Sequence, residues 1–178
     1  MSRPPAARLK ALRAFAALVV AAGERGATLD AVAREAGISK GGLLYHFANR
    51  EDLIAGLADH LRTLLARDIQ AMGDDPLGAT AYLLRTSARF DDAFAETYIA
   101  VVALAQTGHT SATQVLAEAD QAWLEAVTQE IGDPHVARMV VLLCDGIYTH
   151  AAVQRGPTGH DVDALHDLIA ELLAARRG

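Results

Sequence analysis

A chain of 178 residues, 52% hydrophobic and 21% charged, is long and apolar enough to bury a substantial core, which excludes intrinsic disorder. Its formal net charge of -6 argues against a nucleic-acid binder until it is divided along the chain. Residues 1–50 carry eight basic groups against three acidic, a net +5, whereas residues 51–178 carry eight against nineteen, a net -11: a basic head that would meet phosphates, and an acidic body that would not.

No window of about 18 uninterrupted apolar residues occurs, so neither a membrane span nor a membrane partner is expected. The N-terminus offers a basic and then an apolar segment, but Leu9, Leu12, Phe15, Ala16 and Val19 form a helical stripe and no small-residue cleavage site follows. A secretion signal is therefore not expected. The single Cys144 can form no internal disulfide and fits a reducing, cytoplasmic setting.

In chain order the pattern is helical throughout, about nine helices with no strand signal and no internal repeat. The first helix is expected over Pro5 to Ala22, stopping at Gly23, with its stripe covering the next two helices to complete a three-helix core. The second starts at the N-cap Thr28 and sends Leu29, Val32 and Ala33 inward before Gly37. The third spans Ser39 to Phe47, with Leu43 and Phe47 four apart on one buried face. Asn49 caps the fourth, Glu51 and Asp52 sit in its first turn, and Leu53, Leu57, Leu61, Leu64 and Leu65 continue its stripe to about Met72. Pro76 suits the first turn of a fifth helix, over Leu77 to Phe90. A sixth, from Asp92 to Thr107, is apolar on most of its circumference and should be central. The seventh runs from Thr110 or Ser111 to Ile131. Gly132, Asp133 and Pro134 stop it and start the eighth, which continues to Gln154. The ninth begins near Asp161 with Val162, Leu165, Leu168, Ile169, Leu172 and Leu173 on one broad face.

Two short helices around Gly37, with Ile38 as a buried plug and Ser39 as the next N-cap, make a helix-turn-helix whose second helix lies in the major groove. The chemistry on that helix agrees. Lys40 can meet a phosphate or a guanine edge, and adjacent Gly41 and Gly42 let the backbone approach the duplex. Each glycine costs a helix about 1 kcal/mol relative to Ala, so proximity outweighs propensity here. Tyr45 and His46 supply hydroxyl and imidazole donors, and Thr28 and Arg50 would grip the DNA backbone from helix N-termini.

The run Ser39-Lys40-Gly41-Gly42-Leu43-Leu44-Tyr45-His46-Phe47, followed by Asn49-Arg50-Glu51-Asp52-Leu53, resembles the third helix and the start of the fourth in the TetR family of bacterial transcriptional regulators. The resemblance from Gly26 to Leu53 covers about a quarter of the chain; the remainder agrees in length and helix count. It implies an all-α fold with a DNA-binding domain over residues 1–50 and a ligand-binding and dimerisation domain over residues 51–178. It also implies that Ser39, Lys40, Gly42 and Tyr45 approach bases. Leu44 departs from the pattern, since an aromatic is common there, and Tyr45 is left to supply that contact.

One such motif buries little DNA, so two heads about 34 Å apart, and hence a homodimer, are expected. Val136, Val140, Leu143, Ile147 and Ala151 of the eighth helix, with Leu165, Ile169 and Leu172 of the ninth, are the candidate interface, as the resemblance also implies. Tyr82, Phe90, Phe94, Tyr98, Trp123, Met139 and Tyr148 are the candidate lining of a pocket for a small, apolar or aromatic ligand, which Arg85, Arg89 and Glu96 could reach. Neither a cofactor nor a metal is expected: His160, Asp163, His166 and Asp167 have passable ligand spacing but fall on the solvent side of their helix. No phosphate loop, nucleophile elbow or HExxH pattern occurs, so an enzyme is not expected. The rival is a helical small-molecule-binding protein without sequence-specific DNA binding.

Overall fold

The computed structural model describes residues 4–89, 93–154 and 162–177. Among these residues the chain is all-helical: α1 Pro4–Gly26, α2 Leu29–Glu35, α3 Lys40–His46, α4 Arg50–Gly73, α5 Gly78–Ser87, α6 Ala93–Gln106, α7 Thr110–Ile131, α8 Pro134–Gln154 and α9 Val162–Arg177.

The local signals read from the sequence mostly do their work. Thr28 accepts a hydrogen bond from Ala31 N (3.2 Å), and Ser39 accepts one from Gly42 N (3.0 Å), each satisfying an otherwise unpaired N–H of a first turn. Gly37 takes φ 65°, a left-handed value that lets Ile38 N reach back to Ala33 O (3.0 Å) and Gly37 N to Arg34 O (3.2 Å). This closes α2 and reverses the chain into α3. Asn49 Oδ1 accepts from Asp52 N (2.9 Å) while Asp52 Oδ2 accepts from Ala48 N (3.1 Å), a reciprocal cap on α4. Asp133 does the same service for α8, accepting from His135 N (2.9 Å) and Val136 N (3.2 Å).

Two expectations shift. The stop at Gly23 is a break inside α1, at φ 70° and ψ 173°, after which the helix resumes to Gly26. Pro76 lies before α5 and not in its first turn, which begins at Gly78. The reason is a distant acceptor: Glu130 Oε2, at the end of α7, takes Thr80 N (2.8 Å) and Thr80 Oγ1 (3.2 Å). A carboxylate supplied from another helix does what the local sequence does not.

By packing, the chain forms two compact units. One comprises the described residues up to Leu64 with those from Ala93 to Ala117; the other runs from Leu65 to Arg89 and resumes at Glu118. In the first, Leu12, Phe15, Val32, Leu43, Phe47, Leu53, Leu57 and Leu61 form one core with Ala100, Val101, Leu104 and Val115. The helix-turn-helix is thus not a free-standing trio. The most extensive helix pairing of α1 is with α6, whose apolar circumference supplies the second wall. In the second unit Leu84, Ala119, Val127, Val136, Ala137, Val140, Val141, Ile147 and Ala151 are buried, and α5 packs on α8 and α9.

Candidate nucleic-acid interface and helical body

Helix α3 has two unlike sides. Leu43 is fully buried and Phe47 nearly so, anchoring the helix to its unit, while Leu44 is 38% exposed and Tyr45 82% exposed. An exposed phenol on a short, well-anchored helix is a donor open to solvent. His46 is half-buried and meets the Tyr45 ring edge-on, with centroids 5.2 Å apart. The adjacent glycines separate in role. A Cβ on Gly42 would stand 3.2 Å from Ser39 Oγ, so the N-cap accounts for that glycine, whereas nothing lies within 4 Å of one on Gly41. Gly41 is therefore the one left without an intramolecular reason. Thr28 and Ser39 are exposed and spend an oxygen lone pair on their caps, keeping the hydroxyl proton to give. Lys40 is exposed too, but its ammonium lies 3.0 Å from both oxygens of Asp30, in the first turn of α2.

Arg50, expected at a phosphate, is turned inward. Its Nη2 donates to the carbonyl of Glu24 and lies 3.5 Å from the Glu24 carboxylate, because the end of α1 presents both acceptors to the first turn of α4. Arg50 Nε is buried with no partner. His109, just before α7, joins the same group: Nε2 is 3.1 Å from Glu24 Oε1 and Nδ1 is 3.4 Å from Glu51 Oε2. Hydrogen bonds from Thr107 and His109, with the charges of His109 and Arg50, hold the Glu24 carboxyl below its ordinary range despite some desolvation.

The candidate ligand-lining residues divide between the units. Phe94 and Tyr98 stack at 6.0 Å in the first. Tyr82 Oη and Trp123 Nε1 both donate, at 2.9 Å, to the two oxygens of Asp68 in the second. Tyr148 is half-buried, Met139 is 41% exposed, and Phe90 lies outside the described residues. Two clefts are lined by other residues. One of about 380 Å³ is bounded by Lys10, Arg13, Ala17, Glu35 and Glu96. The other, of about 130 Å³, is bounded by Thr80, Glu130, His166, Ile169 and Leu173. Among the metal candidates, His160 lies outside the described residues and His166 lines the smaller cleft.

The α8 stripe named for an interface faces inward: Val136, Val140, Ile147 and Ala151 are buried and Leu143 is half-buried. On α9, Ile169 is buried, Leu165 half-buried and Leu172 37% exposed. A second apolar stripe of α8 is open, with Met139, Leu142 (59%) and Val153 (78%), accompanied by Leu168 (59%) on α9. The physical reason is that α8 is apolar on two sides, with mean hydropathy 1.4 over Pro134–Val153, long and apolar enough to cross a membrane by composition. A periodic pattern read as one stripe is here two.

Residues 11–57 match the family described as bacterial regulatory proteins, tetR family, and residues 79–174 match the tetracyclin repressor-like C-terminal domain. The chain belongs to the TetR family. Its fold is that of solved TetR-like structures. A transcriptional regulator from Rhodococcus sp. is 19% identical, with 94% of this chain and 96% of that one covered at a TM-score of 0.73. The SmeT–triclosan complex is 18% identical, with 96% and 91% covered at 0.69. The multidrug binding protein EbrR complexed with malachite green is 22% identical, with 93% and 96% covered at 0.64. No curated protein matches the chain in sequence.

Within this TetR-family chain, Asp30, Glu24 and His109 escaped the sequence reading. Asp30 carried a signal: an acid in the first turn of α2, ten positions from Lys40 across a tight turn. Glu24 and His109 lie 85 residues apart, and no spacing rule reaches that far.

Proposed function

We propose that this TetR-family chain is a DNA-binding transcriptional regulator, a repressor that leaves a palindromic operator when a small apolar or aromatic molecule occupies its body. The observation that carries the DNA-binding half is the edge of α3: Tyr45 held out at 82% exposure beside the open backbone of Gly41, on a helix anchored by Leu43 and Phe47. Residues 1–50 carry the contacts, with Ser39, Lys40, Gly41, Gly42, Tyr45 and His46 toward the groove and Thr28 on a phosphate. Arg50 acts from behind by bracing α4, because its guanidinium is engaged by Glu24.

Residues 51–178 supply dimerisation and ligand binding. A dimer through the open stripes of α8 and α9, built on Met139, Leu142, Val153, Leu168 and Leu172, gives the two heads their spacing. The ligand half is supported by fold relatives whose named ligands, malachite green and triclosan, are aromatic. A ligand that favours one arrangement of the body shifts α4 and lowers DNA affinity.

A mobility-shift assay on DNA flanking the gene, backed by random-site selection, tests this. A salt-sensitive, sequence-specific shift is expected, and its absence from both sinks the regulator reading. The second reading, a helical small-molecule-binding protein that no longer reads DNA, draws on the engagement of Lys40 and Arg50 by Asp30 and Glu24. The same assay separates the two.

A further inference from the structure

Glu24 near the end of α1, Arg50 and Glu51 at the start of α4 and His109 before α7 lie in one compact unit. The two ring nitrogens of His109 face two carboxylates, Nε2 at 3.1 Å from Glu24 Oε1 and Nδ1 at 3.4 Å from Glu51 Oε2. A neutral imidazole has one N–H and one lone pair, so it donates to one carboxylate and turns its lone pair on the other. Only the imidazolium donates to both. The ring is 17% exposed, which leaves water little room to mediate.

The charged groups around it are Glu24 from α1 and Glu51 from α4, with Arg50 reaching the same Glu24 oxygen at 3.5 Å. Thr107, at the end of α6, is uncharged and hydrogen-bonds Glu24. Glu24 is held below the ordinary carboxylate range, so it stays ionised wherever imidazole titrates. Glu51 sits in the first turn of α4. The ring thus faces an ionised Glu24 on one side and the Glu51 carboxyl group on the other.

We propose that His109 is a proton-dependent positioning residue for DNA binding: as imidazolium it ties the first turn of α4 to the end of α1. Helix α3 ends at His46 and α4 begins at Arg50, so the seat of α4 fixes where the recognition helix points. His109 acts through α4, since its ring partners are Glu24 on α1 and Glu51 on α4. The proposal rests on the DNA-binding reading above.

The test is DNA affinity by fluorescence anisotropy across the imidazole range, about pH 5.5 to 8.5, on DNA from the gene's own flank. The slopes of the curves are compared and not the absolute affinities. Wild-type affinity is expected to fall with rising pH by about fivefold more than that of His109→Gln, whose amide donates to a single carboxylate at any pH. Glu51→Gln is expected to flatten the curve as well, because a neutral ring can satisfy Glu24 alone. Glu51 is 72% exposed, so this variant carries the comparison even if His109→Gln fails to fold. Parallel curves for wild type and Glu51→Gln overturn the role of His109 while leaving the regulator standing. No binding by the wild type at any pH overturns both.

Discussion

Gly56 shows how a single missing methyl can decide the seat of a recognition helix. A Cβ there would lie 2.6 Å from Phe47 Cε1 and 3.4 Å from Arg8 Nη2 and Leu12 Cδ2, and the Phe47 ring also carries the Arg8 guanidinium 5.3 Å from its centroid. Phe47 closes α3, so the ring cannot yield without moving the helix it anchors. Gly56→Ala is expected to destabilise the protein by about 1–3 kcal/mol through overpacking, read from its melting curve, and to weaken DNA binding alongside. Cys144 is the opposite case, a residue with reactive chemistry that its surroundings suppress. Burial pushes its thiol up to about 12, against a smaller opposing hydrogen bond from Ser87. It is expected to resist thiol reagents in the native protein and to react once the chain is unfolded, which a mass-shift time course resolves. At this scale the sequence was legible where neighbours are close in number. Leu43 and Phe47 declared their shared face by a spacing of four, but nothing in the sequence places Gly56 against Phe47.

Helices give the same lesson at their ends. Thr28, Ser39, Asn49 and Asp133 were readable as caps because each acceptor lies within three residues of its donor. The start of α5 was not readable, because its acceptor, Glu130, is 50 residues away. Gly78 adopts φ 88°, and a Cβ on it would stand 2.6 Å from Glu130 Oε1, so that glycine and that carboxylate belong together. Glu130→Ala is expected to cost about 0.5–2 kcal/mol, the range for losing an N-cap, and thermal unfolding measures it. The end of α1 yields a pH prediction. Because the folded-state pKa of Glu24 is depressed, its contribution is present above the ordinary carboxylate pKa and is lost as pH falls through the lowered value. Stability curves of wild type and Glu24→Gln should therefore separate near neutrality and converge in acid, as denaturant titrations at several pH values would reveal.

For the whole molecule, the charge break at residue 50 marks a change of chemistry, not of packing. The residues named for DNA contact lie in the first 50, but the unit that holds them also takes in α6 and the beginning of α7. Hydrophobic periodicity reported that α8 and α9 are amphipathic but could not say which of two apolar stripes of α8 faces inward, since that depends on where α5 lies. Leu142, 59% exposed, decides the matter experimentally. Leu142→Glu should leave the helical content intact and convert a dimer to a monomer, with sedimentation velocity as the measurement; a dimer that survives removes this stripe from the interface.

The packing of α6 against α1 also sets an order of events during synthesis. The head leaves the ribosome before the wall it folds against, which begins only at Ala93, after α4 and α5 have been made. A nascent chain that has reached Gly73 holds every residue named for DNA contact and still lacks the surface that covers α1. A truncated product ending there is therefore expected to bind DNA more weakly than the whole chain.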